Sequence, residues 1–307
     1  MLAAGLIVSR FAHYFAVLAL FGASLFPIYA YASHLDEESQ RLLGWLRPVL
    51  AGASALAVAS GLGWFAFTAA SMSGALAGAV DPQVLAAVIQ GTDFGPLWLA
   101  RLALGAVLFA LALRGAPRGR PVWAAPALSA LLLASLAGTG HARTGEGWTG
   151  SAHILADAVH LIAAGVWLGG LWPLSVALAW AHRGETRRSL AAGELLTRFS
   201  GVGYIAVAAL VGSGLVNSWF LVGDLDRLVT TTYGRLLLVK VALFLAMAGL
   251  AAANRFWITP PLRRPGEAAT DLWLRRIRRH LVAEQSLGLL VLGVVSILGT
   301  LQPAIES

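Results

Sequence analysis

Ser151-Ala-His153-Ile-Leu-Ala-Asp157-Ala-Val-His160 opens an apolar run that continues to Trp180. At about 1.5 Å per helical residue, the run is long enough to cross a bilayer. It nevertheless carries two imidazoles and a carboxylate. Residues 153, 157 and 160 are spaced i, i+4, i+7, so all three lie on one helix face. Ionisable groups at membrane depth are costly, and they mark a pathway or a site by default. A polar seam that merely holds helices together is the plainer alternative. Three side chains of metal-ligand type on one stripe favour a site.

The rest of the chain is of the same kind. It is 58% hydrophobic and only 12% charged, far from the composition of a soluble domain. The spacing predicts eight spanning helices, over 5–33, 42–70, 96–114, 121–140, 151–180, 193–223, 234–258 and 280–301. The expected fold is therefore an all-α polytopic membrane protein. All but six of the 22 basic residues fall in or beside the links after segments 1, 3, 5 and 7; the six are Arg10, Arg101, Arg143, Arg227, Arg235 and Lys240. By the positive-inside rule those links are cytoplasmic, which places both termini at the periplasmic or outer face of the plasma membrane. The net charge of +7 reads as membrane anchoring, not nucleic-acid binding. The absence of cysteine excludes disulfides, thiolate metal sites, iron–sulfur clusters and cysteine nucleophiles. No phosphate loop, nucleotide fingerprint or Ser/His/Asp order is present, so nothing marks an enzyme. Ala30-Tyr31-Ala32 before Ser33 resembles a signal-peptidase site. The preceding apolar run is too long for that role and carries no charge before Arg10, so an uncleaved first helix is expected.

Four ordered similarities divide the chain into two four-helix repeats, 1–145 and 146–307. His13 precedes Gly22 by nine residues, as His160 precedes Gly169. Ser60-Gly61-Leu62 recurs as Ser213-Gly214-Leu215. The element from Thr92 through Gly95 to Arg101 recurs from Thr231 through Gly234 to Lys240. Gly138-Thr139 recurs as Gly299-Thr300. An even number of spans per unit keeps both copies the same way up, about an axis along the membrane normal.

The repeat makes His13 and His160 equivalent, each near the midplane. If segments 1 and 5 pack at the axis, the two imidazoles converge there. Gly22, Ala23 and Ser24 on one helix, with Gly165, Gly169 and Gly170 on the other, would permit close packing. Arg10 and Asp157, also equivalent, could form an ion pair. At the outer face lie Met72, Asp81, Asp93 and His141. A track is expected from His141 through His153 and Asp157 to His160 and His13, with Met72 as an optional thioether. Imidazole and carboxylate in this arrangement suit copper or another late first-row metal. His34, His182 and His280 fall at cytoplasmic ends and read as interfacial. Inner-side ligands are few, with Met247 the one thioether deep in that half, so the expected function is either copper transport across the inner membrane or copper delivery at its periplasmic face. A rival reading is a haem b-binding oxidoreductase with His13 and His160 as axial ligands.

His153-x3-Asp157-x2-His160-Leu-x4-Val-Trp167-Leu-Gly-Gly170-Leu-x-Pro173, with the element at 231–240 and the closing Gly299-Thr300-Leu-x-Pro303, resembles the copper resistance D family (CopD/PcoD). The resemblance covers most of the chain. It implies an inner-membrane protein of copper uptake or homeostasis. It also implies a separate periplasmic CopC-like copper-binding protein as partner.

Overall fold

The computed structural model describes residues 1–30, 37–114, 123–139, 147–181, 186–262 and 267–306, and every regular element among them is helical. The long helices are α1 (Leu2–Ala30), α2 (Glu37–Ser73), α4 (Phe94–Arg114), α8 (Thr186–Val222), α10 (Thr232–Ala253) and α12 (Glu267–Leu298). Helices α6 (Gly147–Ala164) and α7 (Gly170–Ala181) are joined into one span by a π-helical turn, Gly165–Gly169. A second π-turn, Asn254–Ile258, links α10 to the short α11 (Thr259–Leu262).

Seven helices are long and apolar enough to cross a membrane among the described residues, so this is an all-α polytopic membrane protein. The expected count of eight is not reproduced. The stretch 121–140 supplies only α5 (Ala124–Ser135), continued by a 3-10 turn to Thr139. Pro126 in its first turn and Gly138 at its end bound the apolar run. Ser129, Leu132 and Leu133 of α5 are nonetheless fully buried.

Helix α1 forms the centre. It packs on α2, α5, α7, α12 and the Gly165–Gly169 turn, and every residue from Ala16 to Ser24 except Ala19 is buried. The close approach rests on glycine. A methyl group at Gly22 would overlap the backbone of Gly169, and one at Gly169 would overlap the carbonyl of Leu18. Backbones meet at this crossing without intervening side chains, as the small residues predict. Ser24 Oγ lies 3.1 Å from Ser129 Oγ and closes the third side of the contact.

The end that carries the termini has two short surface helices, α3 (Pro82–Gly91) and α9 (Leu225–Thr230). Each is followed by the same capping turn. Thr92 Oγ1 accepts from the Gly95 N–H at 3.3 Å, and Thr231 Oγ1 accepts from the Gly234 N–H at 3.0 Å. A side chain at either glycine would run into the backbone of Ile89 or Leu228, which is why glycine follows threonine in both. Arg227 Nη1 donates to the carbonyls of Ala304 and Ile305, tying the C-terminal residues to α9.

Candidate metal-handling site

His13 and His160 are held by the same device. His13 Nδ1 lies 3.0 Å from the Ala57 carbonyl and 3.2 Å from Ser60 Oγ. Ser60 already donates its own proton to Leu56 O at 2.6 Å, so Nδ1 carries the hydrogen and Nε2 keeps the lone pair. His160 Nδ1 lies 3.0 Å from Ser213 Oγ, and Ser213 donates to Ala209 O at 2.5 Å, which fixes the same tautomer. The Cε1 edge of each ring rests over a glycine, Gly61 in one case and Gly214 in the other. A serine on the neighbouring long helix and the glycine beside it thus orient each imidazole with its lone pair on Nε2, the arrangement that metal-ligating histidines require. Ser60 and Ser213 are candidate orienting residues that spacing alone does not flag, although the recurring Ser-Gly pair is their signal.

The surroundings then diverge. Around His13 stand Arg10 and Arg101. Arg10 lies over the Trp64 ring at 4.8 Å and Arg101 over Trp98 at 4.9 Å, and His13 itself packs edge-on to Trp64. Arg10 donates to the Gly299 carbonyl, and Arg101 to the carbonyl and hydroxyl of Ser135. The expected Arg10–Asp157 pair does not form, because the guanidinium is drawn to the carbonyl at the end of α12. His13 is 2% exposed, and its Nε2 has no partner.

Around His160 stand Asp157, Asn217 and Lys240. Asn217 Nδ2 donates to Asp157 Oδ1 at 3.3 Å, leaving Asn217 Oδ1 buried and unpartnered. Lys240 acts electrostatically on both Asp157 and His160, and Tyr233 neighbours Asp157. His153 is 6% exposed and stacks on Phe220, ring centroids 4.7 Å apart. His153, Asp157 and His160 therefore form a ladder on α6. Adjacent rungs are separated by about 4.5–6 Å along the axis, and no group of three or more His, Cys, Asp or Glu side chains closes around one point among the described residues.

Two of the remaining expected residues fall elsewhere or outside the described residues. Met72 is 59% exposed at the end of α2. His141 lies outside the described residues. His13 and His160 each turn to the serine of their own helix pair, and α1 and the α6–α7 span cross at Gly22 and Gly169, nine residues beyond each histidine. That is about 14 Å along each helix.

Residues 1–151 match the family described as copper resistance protein D-like, N-terminal domain, and residues 193–298 match that described as copper resistance protein D. The chain is 35% identical to copper resistance protein D of Pseudomonas syringae pv. tomato, over 97% of this chain and 96% of the relative. It is 30% identical to inner membrane protein YebZ of Escherichia coli, over 99% and 100%. It is also 33% identical to copper transport protein CutJ of Bacillus subtilis, over 91% of this chain and 49% of the relative. No solved structure matches. On shared sequence over almost the whole length of two relatives, the chain belongs to the copper resistance protein D family.

Proposed function

We propose that this is an inner-membrane copper permease in which the second half carries the ion. The observation that carries the reading is the ladder His153–Asp157–His160, with the His160 ring oriented by Ser213 so that Nε2 is a free ligand. Copper arriving at the outer face, from a CopC-like donor, meets His153 first. It then moves one helical turn at a time, trading one ligand for the next. Asp157 supplies the negative charge a cation needs at this depth. Lys240 offsets that charge when no metal is present, so the ion displaces an ammonium group's influence and is held loosely enough to leave. Names among the relatives support copper handling and transport, and an inner-membrane location accords with another.

The matched devices at His13/Ser60/Gly61 and His160/Ser213/Gly214 support the reading of 1–145 and 146–307 as two copies of one unit. In the first copy the acid is replaced by Arg10. Two fixed positive charges beside His13 repel a metal cation, so this half acts as the scaffold against which the second works. The haem alternative needs both Nε2 atoms on one iron, and the copper reading places no haem there. The purified protein is expected to show no Soret band.

Copper accumulation in proteoliposomes tests the reading. Wild-type protein should load the vesicles and His160→Ala should not; equal loading by both would overturn it.

A further inference from the structure

Glu284 is a titratable group that the ladder does not use. It is 2% exposed in the middle of α12. Asn254 Nδ2 donates to its Oε1 at 2.7 Å, and the Trp167 indole N–H is a second donor to the carboxyl. Asn254 Oδ1 in turn accepts from His280 Nδ1 at 2.8 Å. With the carboxyl ionised, the amide is oriented nitrogen to the carboxylate and oxygen to the imidazole. His280 Nδ1 carries the hydrogen, and Nε2 is left with a lone pair. Thr259 Oγ1 pins the Asn254 backbone carbonyl at 2.8 Å.

Two features mark this as a built site. Asn254 opens one π-turn and Trp167 is the centre of the other, so both π-turns among the described residues deliver a side chain to this one carboxyl. A π-turn costs regular hydrogen bonding and is retained mostly at functional positions. Second, His280 lines a pocket of about 390 Å³ with Trp257, Trp273, Arg276 and Arg279. The pocket lies at the arginine-rich end of the bundle, away from the termini. The chain of contacts runs from that pocket through His280 and Asn254 to Glu284, next to Trp167, which lies seven residues beyond His160 on the same span.

A buried carboxylate needs a compensating cation. None of its side-chain partners is basic: Asn254 faces it from the π-turn after α10 and Trp167 from the α6–α7 span. The neighbouring Gln285 is committed to Leu171 O and Ser175 Oγ on α7. Helix α1 meets α12 through Arg10, at Gly299, fifteen residues further along α12. Arg276 and Arg279 line the pocket on the far side of His280. Two N–H donors already occupy the carboxyl, and no third metal-ligating group joins Glu284 and His280 among the described residues. The cation that fits is a proton.

We propose that Glu284 is a proton-exchange site served by His280 from the arginine-rich face, and that it loads and unloads as copper moves along the ladder. The exchange moves one proton and no electrons. A hydronium ion from the pocket protonates His280 Nε2. The imidazolium hands its proton through water to the carboxylate, which becomes a carboxyl, while Asn254, an amide that does not itself relay protons, re-forms its bond to the neutral ring; the reverse step returns the proton to the pocket as hydronium. The coupling to copper rests on the permease reading, whereas the protonation itself does not.

Infrared difference spectra of the full chain in proteoliposomes, taken between acid and alkaline buffer, test the exchange. A carboxyl C=O band sensitive to deuterium is expected in the wild type and is lost in Glu284→Gln. His280→Ala, at a half-buried position, should keep the band but slow its response to a change of buffer, and it carries the test should E284Q fail to fold. A wild type without the band, a band unchanged in E284Q, or a full-speed response in H280A overturns the site. Loss of one bound copper in E284Q would also overturn it, in favour of a metal ligand. Copper uptake that alkalinises or acidifies lightly buffered vesicles in the wild type but not in E284Q supports coupling. A wild type that moves no copper yet keeps the band refutes the permease reading alone.

Discussion

The pockets around His13 and His160 share a scaffold and differ in charge. Each has an imidazole bonded through Nδ1 to a serine of the neighbouring long helix, with a glycine against Cε1. Around that frame, one pocket places Arg10, Trp64 and Arg101, and the other Asp157, Asn217 and Lys240. The first is sealed: its guanidiniums lie over tryptophans and cap carbonyls at Gly299 and Ser135. The second keeps a carboxylate, a free amide oxygen and an amine that can yield. The lesson is that backbone and ring orientation are shared between the halves while the charge beside the ring is not, and the permease reading makes that charge the basis for admitting a cation to one pocket alone. The inner-side cluster follows the same pattern. Counting from the matched Gly138 and Gly299, Glu284 corresponds to Trp123, so the first half has no counterpart to it.

The largest effect should come from the element that joins the two halves. Gly169→Leu forces a side chain into the Leu18 carbonyl and the Gly22 backbone. Monodisperse protein should fall to near nothing after detergent extraction, and Gly22→Leu should match it. Normal yields for either would mean that the halves do not depend on this crossing. Next, Ser213→Ala frees the His160 ring and should weaken copper binding about tenfold, the usual cost of losing a partner that orients a ligand. Ser60→Ala should leave copper affinity unchanged, because the proposed path does not pass His13. Equal losses would erase the distinction between the pockets. Lys240→Met removes the competitor for Asp157 and should slow copper release several-fold in a chelator-chase experiment. Arg101→Met, its counterpart, should lower thermal stability without altering release. Smallest of all, Met72→Ala should change neither binding nor release, since its thioether is exposed at the end of α2.

Much of this was legible in residue order alone. Apolar run lengths place the seven long spans, and small residues at 22 and 169 locate the crossing. The Thr-x-x-Gly elements at 92 and 231 declare a shared capping turn. Other features follow from three-dimensional direction, which spacing does not carry. Equivalent histidines suggest a shared ion, yet each ring follows the serine of its own helix pair. Arg10 and Asp157 match as opposite charges, yet Arg10 is claimed by a carbonyl from α12. The shortness of α5 is hidden because its apolar stretch continues in composition after the α-helix has ended at Ser135. Glu284 escapes notice because the arginine-rich stretch before it reads as solvated charge. His280 likewise reads as interfacial until Asn254 bridges the two. Both π-turns are invisible to counting at i, i+4, and they aim Trp167 and Asn254 at the same carboxyl.

The central claim is that only the second pocket admits the ion, and equilibrium dialysis of purified His160→Ala and His13→Ala against copper, read by elemental analysis, tests it most directly. H160A should lose the bound copper while folded H13A retains the wild-type stoichiometry. Retention by H160A, or equal loss from both variants, would contradict it.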